Sequence, residues 1–325
     1  MKCVILKSGE ISVLKSEIPL PEDGYCTFSV KAAGICGSDI PRAFNNGAYH
    51  YPIVVGHEFA GIVMDSTNPS VIGKRACVFP ILPCGKCEFC KKEQWASCVS
   101  YDYYGSRRDG GMQSEILIKE TNLIFLPDEI TYEAGAMIEP VAVCLHAIKK
   151  AEISSDSRVL IYGAGTIGLL LGMWAKAFGA QSVYISDIDE ERCEFARKIG
   201  FEIYKDEQIN TVLEASGAPS VLNDAISRCD SLGKIVLVGH GKKDVTIDHT
   251  AFVKILRKQL TLIGSWNSDF SSKANDWQES IDAICEGKIN PESLITHKIP
   301  LSLGDKAFKI VGDRKEFYNK IMVVN

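Results

Sequence analysis

The chain has no excess of positive charge. Its 325 residues carry 36 lysines and arginines against 41 aspartates and glutamates, a formal net charge of -5. Nothing global draws it to nucleic acid or to an anionic bilayer, so polyanionic partners are disfavoured. Long apolar runs are also missing: the most apolar stretch, from Ile167 to Ala180, is interrupted by Lys176 and is too short to span hydrocarbon. The opening MKCVILKSGEISVL lacks the apolar region of a secretory signal, and the sequence shows no internal repeat and no low-complexity segment. The expectation is a cytoplasmic protein with neither a membrane nor a nucleic-acid partner.

Cysteine, by contrast, is plentiful. Of the twelve, eight are scattered singly, which in a large chain without an export signal implies reduced thiols, several of them core-filling. The other four fall together in PCGKCEFCKKEQWASC, Pro83 to Cys98.

At 325 residues and 46% hydrophobic composition the chain exceeds the size at which one core keeps growing, so two domains are expected. Up to about residue 145 it is rich in Gly, Pro and short β-branched runs such as YCTFSVKAAGI, IVVGHEFAGIVM and MQSEILI, which predict a β-rich domain. From Ser157 the texture changes. RVLIYGAG reads as a buried strand, TIGLLLGMWAKAFGA as a helix and SVYISDID as a second strand, and this order implies a parallel α/β unit. TVLEASG, KIVLVG and LTLIGSW add further strands, separated by the helical patterns PSVLNDAISRC and HTAFVKILRK.

Between the first of these strands and its helix, Gly163, Gly165 and Gly168 have G-x-G-x-x-G spacing, with Thr166 and Ile167 inside the loop. The first glycine allows the tight turn, the second lets a pyrophosphate approach the backbone, and the third lets helix and strand pack closely. Asp187 ends the next strand 19 residues after Gly168, where a carboxylate accepts from the adenine-ribose hydroxyls and repels a 2'-phosphate. NAD is therefore favoured over NADP. Arg192 is placed either to reach the adenosine end or to stand as a solvated helix charge.

Cys84, Cys87, Cys90 and Cys98 form a C-x2-C-x2-C-x7-C series. Four thiolates enclose one zinc with no position left for substrate, a site that braces a loop and contributes folding energy. Disulfides or an iron-sulfur cluster are the alternatives at this spacing. Elsewhere AGICGSDIPR, VVGHEFAG and MIEPVAV offer Cys36, His57, Glu58 and Glu139, the mixed sulfur, nitrogen and oxygen donors that an open catalytic zinc needs. Singly, each of these residues reads as core or as a solvated polar group.

In this order GICGSD, GHEFAG, the four-cysteine lobe, IEPVAV and GAGTIG resemble the zinc-dependent medium-chain alcohol and polyol dehydrogenases over almost the whole chain. The resemblance implies a GroES-like catalytic domain over 1–147, with the structural zinc lobe at 84–98. A Rossmann doubly wound NAD-binding domain would cover 148–287, and 288–325 would return to the catalytic domain. It also implies one catalytic zinc in the cleft between the domains, one remote structural zinc, and a homodimer or homotetramer. Cys36 and His57 would be catalytic-zinc ligands. Glu139 would take the place of a third ligand that is Cys in alcohol dehydrogenases and Glu in polyol dehydrogenases, and Glu58 would be the acid that swings onto the metal. Such a zinc lowers the pKa of an alcohol hydroxyl; Ser38 would receive its proton while hydride passes to the nicotinamide. The histidine that many relatives place just beyond the GSD motif is missing. Ile40 to Arg42 stand there, leaving water or the segment containing His50 as a proton route.

Within the family, CGSDIPR, NNGAYHYP, YDYYGSRRDGG and FVKILRKQLTLIGSW are similar to polyol-phosphate members. Arg107 and Arg108 then become candidates for holding a substrate phosphate, since guanidinium forks suit its oxygens. An unphosphorylated polyol of the sorbitol type or L-threonine is the alternative substrate. A non-catalytic NAD sensor or scaffold, or a zinc-ribbon nucleic-acid binder, would be a different class of protein. One departure is structural: only KDEQIN separates FEIY from TVLEASG, where relatives have a crossover helix. A short or displaced third strand with no helix after it is predicted.

Overall fold

The computed structural model describes residues 1–241 and 243–325. It divides into a β-rich unit made of Met1–Glu139, Asp269–Cys285 and Pro291–Asn325, and a parallel-sheet unit made of Pro140–Ser268 and Glu286–Asn290. No helix among the described residues is long and apolar enough to cross a membrane.

In the β-rich unit, YCTFSVKAAGI becomes the strand Tyr25–Gly34, whose residues are almost all buried. It pairs antiparallel with Glu58–Ser66 on one side and with both Glu115–Lys119 and Lys320–Val324 on the other. The sheet runs Ile295–Pro300, Lys320–Val324, Tyr25–Gly34, Glu58–Ser66, Arg75–Val78, Leu123–Phe125, so the C-terminal segment supplies two of its strands. Phe28, Val30, Phe59, Val63, Phe308 and Ile321 fill the core. Gly61 is needed at a close crossing, because a Cβ there would lie 2.0 Å from the Ser29 carbonyl oxygen.

The second unit is a six-stranded parallel sheet in the order Glu202–Ile203, Ser182–Ser186, Arg158–Tyr162, Ile209–Glu214, Cys229–Leu237, Thr261–Gly264. By position along the chain this is 3-2-1-4-5-6, the Rossmann order. The expected helices form at Thr166–Ala177, Val221–Arg228 and His249–Lys258.

The third strand is only two residues long, and no helix lies between it and the fourth. Register explains why. Ile203 is level with Ile185, Ile161 and Leu213, so Ile209 starts four residues lower, three strands away. Three strand spacings and four residues of rise make a diagonal of about 20 Å, and six extended residues span about that much. The connection has no slack to coil. Tyr204 covers the uncovered sheet face beside Tyr184, with ring centroids 6.2 Å apart, and Arg228 lies 5.2 Å over the Tyr204 ring.

Candidate active site

The long strand Tyr25–Gly34 ends at the site. Gly34 pairs with Glu58 on one neighbouring strand and with Met322 on the other, and Lys320 shares a face with Met322 because side chains repeat every two residues. Glu58 Oε2 therefore lies over Gly34, where a Cβ would come within 2.2 Å of it, and accepts from Lys320 Nζ at 2.6 Å. Both side chains are buried, at 2% and 4% exposure. Burial opposes the Lys320 ammonium, but Glu58, Cys36 and Glu139 outweigh it and raise its pKa.

Cys36, just beyond the strand, and His57, next to Glu58, bring their donor atoms within 4.8 Å of one another and of the Glu58 carboxylate. Asp39 is fully buried behind them, accepting from Cys36 N at 3.0 Å and from Arg42 Nη1 at 3.2 Å. His57 Nδ1 is buried with no hydrogen-bond partner, 3.7 Å from Asp39 Oδ1. Burial, then Glu58 and Asp39, push the Cys36 thiol up to about 11. A half-buried thiol beside a buried imidazole and carboxylate, converging without mutual hydrogen bonds, is a donor set that zinc takes.

Glu139 stands outside that group. Its Oε1 accepts from Tyr103 Oη at 3.4 Å, and burial raises its carboxyl to about 8, with Glu58 and Cys36 adding to the rise and His57 opposing it. Ser38 is exposed, its hydroxyl accepting from Arg42 Nη1 at 3.2 Å. His50 is not part of the cluster: its ring nitrogens lie 3.1 Å from the Pro52 carbonyl and 3.2 Å from that of Arg107.

The four lobe cysteines also converge within 4.8 Å. Sγ of Cys90 is 3.5 Å from that of Cys87 and 3.8 Å from that of Cys84, too far for a disulfide and close to the roughly 3.8 Å edge of a tetrahedron with zinc-sulfur bonds of about 2.3 Å. Cys87 caps the short helix Glu88–Lys91, and main-chain N–H groups of Cys90 and Val99 hold its thiol down to about 6. Trp95 and Phe79 anchor the lobe against Phe270, with centroids 5.9 and 5.0 Å away.

The chain leaving Cys98 separates the two candidate arginines. Arg107 lies 4.1 Å from the Tyr101 ring and 5.1 Å from that of Tyr49, and donates to the Tyr101 carbonyl. Tyr101 in turn packs on Tyr103 at 6.1 Å, and Tyr103 on His57 at 5.7 Å. Arg108 turns away to Asp102 at 2.6 Å and lines an open cavity of about 640 Å³ with Lys2, Lys15, Glu17 and Glu115.

In the parallel-sheet unit Gly163 has a φ of +101°, and a Cβ on Gly168 would sit 1.8 Å from the Gly163 carbonyl oxygen. Gly165 precedes the helix that opens at Thr166 and Ile167. Asp187 Oδ2 accepts from Ala164 N at 2.7 Å, fixing the acid against the loop. Arg192 folds back over it, with a guanidinium nitrogen 3.2 Å from where a Gly165 Cβ would be.

Lys320, Asp39 and Tyr103 were not among the residues expected here. Asp39 adjoins Ser38 in the same motif, and Lys320 heads an otherwise apolar strand, KIMVV. That isolated charge was the available signal.

Fold and site together define a zinc-binding dehydrogenase. The family model for the alcohol dehydrogenase GroES-like domain matches residues 22–128, and that for zinc-binding dehydrogenases matches 166–286. The chain belongs to the zinc-dependent medium-chain alcohol and polyol dehydrogenases, oxidoreductases acting on small molecules. It is 35% identical to galactitol 1-phosphate 5-dehydrogenase of Escherichia coli strain K12, with 92% of each chain covered. It is 30% identical to D-arabitol-phosphate dehydrogenase of Enterococcus avium, over 97% of this chain and 94% of that one. The crystal structure of galactitol-1-phosphate dehydrogenase from Escherichia coli superimposes with a TM-score of 0.92 at 33% identity, covering 100% of this chain and 99% of that one.

Proposed function

We propose that the protein oxidises a secondary hydroxyl of a polyol phosphate of the galactitol 1-phosphate kind to a ketose phosphate, with NAD as acceptor. Cys36, His57 and Glu58 hold the catalytic zinc, Glu139 stands beside it, and Cys84, Cys87, Cys90 and Cys98 hold a second zinc that braces the lobe. Zinc at the first site supplies Lewis acidity that makes an alcohol hydroxyl easier to deprotonate, and the nicotinamide supplies the hydride acceptor. The loop at Gly163, Gly165 and Gly168 receives the pyrophosphate, Asp187 favours NAD over NADP, and Arg192 lies on the same loop.

Ser38 takes the substrate proton. Its exposure gives that proton a direct exit to solvent, and the Arg42 hydrogen bond to Ser38 Oγ favours its departure.

The observation that carries the phosphate assignment is the Arg107 guanidinium, pinned between Tyr49 and Tyr101 on the strand of contacts leading to Tyr103 and His57. Two of the relatives described above are named for phosphorylated polyols. Initial rates of NAD reduction over polyols, their phosphates and L-threonine test the reading. Arg107→Ala is expected to lower kcat/KM for the phosphate ester about 10- to 100-fold, the worth of a charge-assisted hydrogen bond, and to leave free polyols unchanged. Arg108→Ala leaves both unchanged. A wild-type enzyme that turns over free polyols or threonine but not the phosphates refutes the assignment.

A further inference from the structure

Glu214 ends the fourth strand of the parallel sheet with its side chain buried. Its Oε1 accepts three hydrogen bonds from the turn that follows: Ser216 N at 2.8 Å, Ser216 Oγ at 2.5 Å and Gly217 N at 2.9 Å. Its main-chain oxygen accepts from Val238 N at 2.9 Å and Gly239 N at 2.8 Å, in the loop after the fifth strand. Ala215 N donates to the Tyr162 carbonyl at 2.9 Å, at the end of the first strand. Glu214 and Ala215 thus tie together the carboxyl ends of three adjacent strands.

The three loops touch backbone to backbone. A Cβ on Gly163 would lie 3.1 Å from Ser216 N, one on Gly239 would lie 2.3 Å from Gly217 N, and one on Gly241 would lie 2.3 Å from the Gly217 carbonyl oxygen. This stack stands at the reversal of strand order between the first and fourth strands, the place where open α/β sheets bind a ligand across their carboxyl edge. The glycine loop and Asp187 serve the adenosine half of a dinucleotide, on the side of the first and second strands. The turn at 215–217 and the loop at 238–241 lie on the other side of the reversal. Glu214 Oε2 has no donor among the described residues and lies 2.6 Å from where a Gly239 Cβ would be.

We propose that Glu214 is a positioning residue for the nicotinamide-ribose half of the dinucleotide, setting the distance between the 215–217 turn and the loops at Gly163 and Gly239. The inference rests on the NAD-binding reading above, and its test separates the two. Kd values for NADH and for AMP are measured by fluorescence or calorimetry on the full-length zinc-loaded protein, alongside zinc content and Tm. Glu214→Ala removes all three turn bonds and weakens NADH at least tenfold while AMP stays within twofold of wild type. Glu214→Gln keeps a carbonyl oxygen for the same three donors and restores NADH affinity to within threefold. Ser216→Ala, which removes only the hydroxyl, gives an intermediate loss and reports even where Glu214→Ala folds poorly.

Equal loss of NADH and AMP in Glu214→Ala would overturn the proposal by showing a general structural role. So would NADH affinity within twofold of wild type in both Glu214→Ala and Ser216→Ala. Failure of the wild type to bind NADH would instead remove the NAD reading itself.

Discussion

Lys320→Met breaks the buried pair on which the site's carboxylate depends. At 2.6 Å in an effective dielectric of about 20, the Lys320–Glu58 attraction is about 6 kcal/mol before desolvation is deducted. Removing the lysine alone leaves Glu58 charged, 1% exposed and without its cation, a change that costs about 3–5 kcal/mol. In a unit of this size that is a fall in Tm of about 6–20 °C. Scanning calorimetry on zinc-stripped protein should show this loss for Lys320→Met, and the double variant with Glu58→Gln should recover more than half of it, because both charges are then gone. With zinc loaded, the loss should shrink, since a metal bound by Glu58 compensates its charge. A zinc-stripped Lys320→Met within 2 °C of wild type, or a double variant no better than the single, would refute the reasoning.

Glu139 makes the zinc-stripped protein pH-sensitive. Burial raises its carboxyl from 4.5 to about 8, so the folded chain binds this proton more tightly than the unfolded one and stability falls as pH rises across that interval. Glu139→Gln should flatten the decline in Tm between pH 5 and pH 8, and an unchanged slope would mean that other groups cause it. Gly168→Ala drives a Cβ to 1.8 Å from the Gly163 carbonyl oxygen, so the first turn of the loop must open. It is expected to weaken AMP and NADH together by at least about tenfold at a stability cost of about 1–3 kcal/mol, read by titration and thermal melting.

Much of the molecule was legible because its chemistry is local in sequence. The G-x-G-x-x-G loop needs only a strand, three glycines and a helix in succession, and the cysteine lobe closes within 15 residues. The missing crossover helix could be deduced from chain length alone, since six residues cannot both coil and pass two strands. What stayed hidden depends on pairing across long separations. Lys320 meets Glu58 only because the C-terminal strand joins the sheet beside Gly34, 262 residues from its partner. Arg107 and Arg108 are adjacent letters in one loop, and only the turn geometry shows that one lies between Tyr49 and Tyr101 while the other pairs with Asp102 over the Tyr104 ring. The role of Glu214 was invisible for the same reason, because an acid at a strand end carries no mark of the loops that will close on it.

The central claim is that two metal centres share the work, one bracing and one reacting, and zinc analysis by mass spectrometry on purified variants tests it most directly. Wild type should hold two zincs per chain, and Cys36→Ser and Cys87→Ser one each. NAD reduction with a polyol phosphate should be abolished in Cys36→Ser and should persist in Cys87→Ser protein kept cool enough to stay folded. One zinc in the wild type, or full turnover in Cys36→Ser, would contradict the account.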